Sequence, residues 1–367
     1  MFIALLDLFL TVLYARAGAG FVSDHVARFI WTLFHWISKP LPRRRGIVLS
    51  LSGSVIVVSL VAVWAGMLAV GAALIMHPYL GTSVRSSGGS NATDFLTALY
   101  AGGSSMSLVG ASNYSGDTPA FRIVYLINSM IGMSVMSLAL TYIMQIYNAL
   151  QKRNALGLSL QLMSRGTGNA ATLIQGLGPN GEFSAGYNNI ASIAEAMVSI
   201  REAHDFYPVL FYFRFPDPRY SASRMTFITL DTVSLIRTAI PDGKNGWIKN
   251  AASVQQLWEA AMSLLKTLEE TFMPGKADEH TNDPSNAERQ LWRRRYFQAL
   301  SIFREAGIET VSSEEQGAEA YGAMRARWNH LVASLASYMD WKMDEIDTAI
   351  SALNGYEAHP SPNRESV

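Results

Sequence analysis

The stretch whose residue types could do chemistry is uncharged. Ser107-Leu108-Val109-Gly110-Ala111-Ser112-Asn113 carries no ionisable side chain, so what it offers is backbone: carbonyl oxygens and hydroxyls that replace the water around a cation when several copies face one another. Asp117 follows. Repeated by symmetry, its carboxylate makes a ring at the mouth of such a path; alone before Thr118-Pro119, it is an exposed turn aspartate. The usual catalytic sets lack their partners. His204-Asp205 has the form of paired metal ligands, yet only His280, His330 and His359 follow, and a helix-end histidine is the plainer reading. Gly176-x-Gly178-x-x-Gly181 has no phosphate-binding lysine and reads as a loop. Cysteine is absent, which excludes disulfides, thiol catalysis and thiolate metal sites. The chain reads as no enzyme, with no cofactor or bound metal beyond a permeating monovalent cation.

The elements that must position the uncharged run are apolar and long. No Lys, Arg, Asp or Glu occurs between Arg45 and Arg85, and Ile123–Gln151 is a second uncharged stretch. Each exceeds the roughly 20 residues that cross a hydrocarbon core. Between them, Asp94 stands as an N-cap before Phe95-Leu96-Thr97-Ala98-Leu99-Tyr100, predicting a short helix that leads into the loop, as in a re-entrant pore loop. A helix aimed with its C-terminal end at the pore presents partial negative charge to a cation. Arg43-Arg44-Arg45 before the first span and Lys152-Arg153 after the second put both ends on the cytoplasmic side. One loop per chain cannot enclose a pore, so a homotetramer is expected. Gly132, in the second span, is either a hinge or a point of close packing.

Charge divides the chain in two. Residues 1–150 hold 8 basic and 4 acidic side chains, and residues 151–367 hold 21 and 25. The expected organisation is N-terminal membrane or interfacial helices at 1–46, a pore domain at 47–151, an all-helical cytoplasmic domain at 152–355 and a disordered tail at 356–367, hence a mainly α fold. Met1–Tyr14 is apolar apart from Asp7 and reads equally as a short span or an embedded helix. Phe21–Ile37 reads as an amphipathic, aromatic-rich helix at the membrane interface, or else packed on the soluble domain. Helices are predicted at Asn188–Ala203, Tyr220–Ala239, Trp247–Met273, Ala287–Ala306, Glu315–Tyr338 and Lys342–Leu353. Basic residues after 151 are interspersed with acids apart from Arg293-Arg294-Arg295, so no nucleic-acid face is expected. The partners expected are the lipid bilayer, further copies of the chain and a regulator of the cytoplasmic domain.

Three places carry a resemblance. Asp7-Leu8-Phe9-Leu10-Thr11 with Arg16-Ala17-Gly18-Ala19-Gly20, the pore loop and second span with Ile131-Gly132 and Thr141–Tyr147, and Glu202-Ala203-His204-Asp205-Phe206-Tyr207-Pro208-Val209-Leu210-Phe211-Tyr212-Phe213-Arg214 resemble the bacterial potassium-channel-like proteins of the ion channel or two-pore-domain potassium channel families. The resemblance implies a multi-pass protein of the inner (plasma) membrane with a cytoplasmic C-terminal domain. It implies a filter over Ser107–Asn113, an outer mouth at Asp117 and an inner-helix hinge at Gly132. Laid on the pattern T-L-T-T-V-G-Y-G-D, only Val109 and Gly110 stand unchanged. Leu108 replaces the threonine that closes the inner end, Ala111 the bracing aromatic, and Ser112 a glycine whose backbone geometry costs other residues energy. The implied function is conduction of monovalent cations, potassium above all, with weakened selectivity. The alternative is a non-conducting membrane scaffold or sensor that retains the pore fold.

Overall fold

The computed structural model describes residues 1–14, 20–41, 43–88, 92–107, 113–273 and 284–349. It is mainly helical, and two helices are long and apolar enough to cross a membrane. The chain forms two compact units: Met1–Asn148 with Asp205–Phe213, and Ala149–His204 with Arg214–Val367.

The first unit begins with α1 (Phe2–Leu8), continued by a wider turn through Leu13, and α2 (Phe21–Ser38). Next come α3 (Arg45–Ser50) and α4 (Ser52–Met76), one nearly continuous run whose Val, Leu, Ile and Ala residues leave no polar face. Strand β1 (Val84–Ser86), α5 (Phe95–Met106) and β2 (Tyr114–Gly116) lead to α6 (Pro119–Met163). Pro119 suits a first turn, where its missing N–H is not needed. β1 and β2 pair antiparallel, Val84 opposite Gly116, and tie the end of α4 to the start of α6. At the far ends, residues 205–213 bridge the same two helices. Ser52 Oγ donates to the Tyr212 carbonyl at 3.2 Å, and the Phe213 ring lies where a side chain on Gly53 would be. Tyr207 and Phe213 stack edge-on against Tyr142 and Tyr147 of α6. α4 and α6 therefore run antiparallel.

A buried carboxylate joins the N-terminal helices to α4. Asp7 accepts from Val22 N (2.8 Å), Ser23 Oγ (2.6 Å) and Trp64 Nε1 (2.9 Å). It thereby caps α2, whose own N-cap residue is Gly20, and Gly20 is required because a Cβ there would strike Asp7. Met1 touches Gly71 while Asp7 reaches Trp64, so α1 runs antiparallel to α4. Its helical length to Leu13, about 18 Å, falls short of a full crossing. α2 then continues in the same direction, from Trp64 to Tyr212 beside Ser52, which Trp31 meets at 5.6 Å. It descends along α4 instead of lying flat at one level.

The second unit contains the end of α6 followed by α7 (Ala170–Leu177), α8 (Ser184–Phe206), α9 (Ala222–Ala239), α10 (Ala252–Phe272), α11 (Asn286–Glu305), α12 (Glu314–Ala326), α13 (Asn329–Tyr338) and α14 (Met343–Ile346). α9 is the centre, with 16 of its 18 residues buried. Its Thr226, Thr229, Thr232, Ser234 and Thr238 hydroxyls donate to carbonyls one turn back, so these five hydroxyls are satisfied without water. The predicted helix Glu315–Tyr338 is two helices. Trp328 leaves helical geometry between them as its ring packs on Phe227 and its Nε1 meets Ser234 Oγ. α6 also runs past 151, and the short α7 falls in a stretch for which no helix is predicted. The expected tail at 356–367 lies outside the described residues.

Candidate functional site

The site is built by α5. Thr97 donates to the Asp94 carboxylate from N–H (3.1 Å) and Oγ1 (2.7 Å), fixing the first turn; these bonds hold the Asp94 carboxyl below its ordinary range. Further along, backbones meet directly. A Cβ on Gly102 would come within 2.7 Å of Ala73 N, and one on Gly132 within 1.9 Å of the Met106 carbonyl oxygen. Asn128 of α6, buried, donates to Ser105 Oγ at 3.0 Å, and Ser105 Oγ donates to the Gly102 carbonyl at 2.7 Å. α5 is clamped between α4 and α6.

These contacts fix a depth. Gly132 is about 20 Å along α6 from Pro119 at 1.5 Å per residue, so α5 ends roughly a third of the way along α6, within its uncharged run. The negative end of the α5 dipole lies at that depth, with the Met106 carbonyl against Gly132. Ser107 leaves the helix extended and exposed, its N–H donating to the Gly103 and Ser104 carbonyls. Leu108, Val109, Gly110, Ala111 and Ser112 lie outside the described residues. Asn113 is back beside β1, where its carbonyl accepts from Ser87 N at 2.8 Å and its Nδ2 donates to Ser86 Oγ at 3.1 Å. Asp117 pairs with Arg85 at 3.5 Å, both side chains more than half exposed. Such a pair contributes little to stability, but it partly neutralises the carboxylate.

Helix α6 passes Gly132 without interruption, and the Met106 carbonyl fills the space a side chain would need. Gly132 here serves close packing. Below the end of α5 lies a cavity of about 470 Å³ lined by Trp64, Leu68, Gly103, Met106, Gly132 and Met136 among others. The outward face of α6 exposes Met130, Met133, Leu140, Met144 and Tyr147. Only 11% of its most apolar window is buried, against 39% for the helix containing α4. The core helix of a water-soluble protein would be covered.

Reasoning on the sequence missed Gly102, Ser105, Asn128 and Arg85. Asn128 had a signal, the one amide between Ile123 and Met144 of an uncharged span. His204 belongs to the second unit, at the end of α8, its Nδ1 2.9 Å from the Ile200 carbonyl. Among the described residues no three His, Asp or Glu side chains gather as metal ligands. Comparison with protein-family models, with curated proteins and with solved structures finds no match to the chain.

Proposed function

We propose that the chain is one protomer of a tetrameric membrane channel for monovalent cations, with residues 107–113 as the path and potassium as the main ion at relaxed selectivity. The observation that carries this reading is the end of α5 about 20 Å inside α6, held there by Gly132 and Asn128. Such a helix brings the chain to a depth between two apolar helices and sets the partial negative charge of its C-terminal end there. The exposed apolar face of α6 supports assembly, because the remaining walls of the pore have to come from other copies.

Purified protein in liposomes tests this. Potassium gradients should drive flux, sodium gradients a smaller but comparable one, and Leu108→Thr, Ala111→Tyr and Ser112→Gly together should raise the ratio, since the three act on one backbone unit. Absence of flux from both versions would support the non-conducting scaffold.

A further inference from the structure

Helix α2 has three sides. Ser23, Ala27, Ile30, Trp31 and Ser38 are buried in the first unit. Asp24, Arg28 and His35 form a polar side on which Arg28 pairs with Asp24 at 2.8 Å. The third side carries Phe29, Leu33, Trp36 and Ile37, a stripe at helical spacing whose members are 68, 38, 69 and 40% exposed. On a helix facing water this side would be polar. Just past the helix come Lys39, Arg43 and Arg44, exposed and without an acidic partner among the described residues.

The order along the axis is informative. α2 starts at the level of Trp64 and reaches that of Ser52 at Trp31. Phe29 therefore lies beside the apolar run of α4, Trp36 about 10 Å further on at 1.5 Å per residue, and the cations beyond it. Apolar side chains, then an indole, then cations is the order of a bilayer leaflet from acyl chains to phosphate.

We infer that this side of α2, with Lys39, Arg43 and Arg44, is a binding surface for an anionic phospholipid of the leaflet that these cations face. Acyl chains cover Phe29 and Leu33, Trp36 lies at the glycerol level and the three cations hold the headgroup. The inference rests on the membrane reading above and adds headgroup recognition to it. The three cations call for an anionic occupant. The first unit of a second copy offers no unengaged carboxylate to them, because all four acidic residues of the first 150 are paired or capped. Asp7 is buried in its cap, Asp24 pairs with Arg28, Asp94 holds Thr97 and Asp117 pairs with Arg85.

The test uses the full chain reconstituted into phosphatidylcholine vesicles with equal amounts of brominated phosphatidylglycerol or brominated phosphatidylcholine. Alkali-resistant flotation checks insertion separately. Subtracting the emission of Trp36→Phe isolates Trp36. Its signal should be quenched about twofold more by the brominated anionic lipid, as headgroup attraction requires. Lys39→Gln, Arg43→Gln and Arg44→Gln together should abolish that preference while quenching by both lipids persists. Equal quenching by the two lipids in the unaltered chain overturns headgroup recognition. No quenching by either overturns lipid contact, as for a face covered by another copy. A chain that does not float overturns the membrane reading and this inference with it.

Discussion

Asp231 and Asp347 share two guanidinium groups inside the second unit. Asp231 accepts from Arg295 Nη2 at 2.8 Å and from Tyr321 OH at 2.6 Å, Arg325 Nη2 donates to Asp347 at 2.8 Å, and Arg295 also meets Asp347. Burial alone would raise the Asp231 pKa, yet the facing Arg295 and Arg325 hold it below the ordinary range. The four charges cancel, so removing one is costly. Asp231→Asn should destabilise by about 3–5 kcal/mol, whereas breaking the exposed Arg293–Glu315 pair should cost about 1 kcal/mol or less, as denaturant unfolding would measure. None of this was legible in the sequence. Arg295 reads there as one of three adjacent arginines, and its burial depends on residues more than fifty positions away. His204 was better read. Its Nδ1 bonds to the helix, but Nε2 is buried without a hydrogen-bond partner among the described residues, and burial, then the Arg153 charge, push its pKa down to about 4. The ring is neutral in the fold and charged in the unfolded chain below its ordinary pKa. Its contribution is therefore present above about pH 6.5 and lost as pH falls toward 4, on the order of 3 kcal/mol in all. Carbon-13 histidine spectra, assigned with His204→Gln, should show this ring still neutral at pH 5.5. Titration near 6.5 would contradict the burial argument.

At the scale of elements, hydropathy located α4 and α6, and Asp94 marked the start of α5, because apolar length and a capping oxygen are local signals. The far end of α6 was not legible, since Lys152 and Arg153 are good helix formers and nothing halts the helix until Met163. Nor was the place of residues 205–213. The sequence assigns them to the helical domain at 152–355, whereas they pack in the first unit, where the glycine at position 53 makes room for Phe213. The antiparallel arrangement of α4 and α6 makes a topological prediction that needs no pore. In a chain without cysteine, Ser87→Cys and Lys152→Cys lie at opposite ends of that pair. An impermeant thiol reagent applied to sealed vesicles of one orientation should label one and spare the other; labelling of both would remove the membrane arrangement.

For the whole molecule, the contrast between an apolar unit with few charges and a charged helical unit was plain in composition and recurs in the structure as two compact units. What composition could not give is where α5 ends, because that depth depends on Gly132 receiving a carbonyl and Asn128 reaching Ser105. The central claim is that cations cross through residues 107–113, and its most direct measurement uses the absence of cysteine. Asn113→Cys places one thiol at the end of the segment beside β1. Potassium flux through reconstituted Asn113→Cys should fall severalfold when a bulky, cationic, membrane-impermeant thiol reagent is added, while the unaltered chain is unaffected. Undiminished flux through fully modified Asn113→Cys would contradict the account.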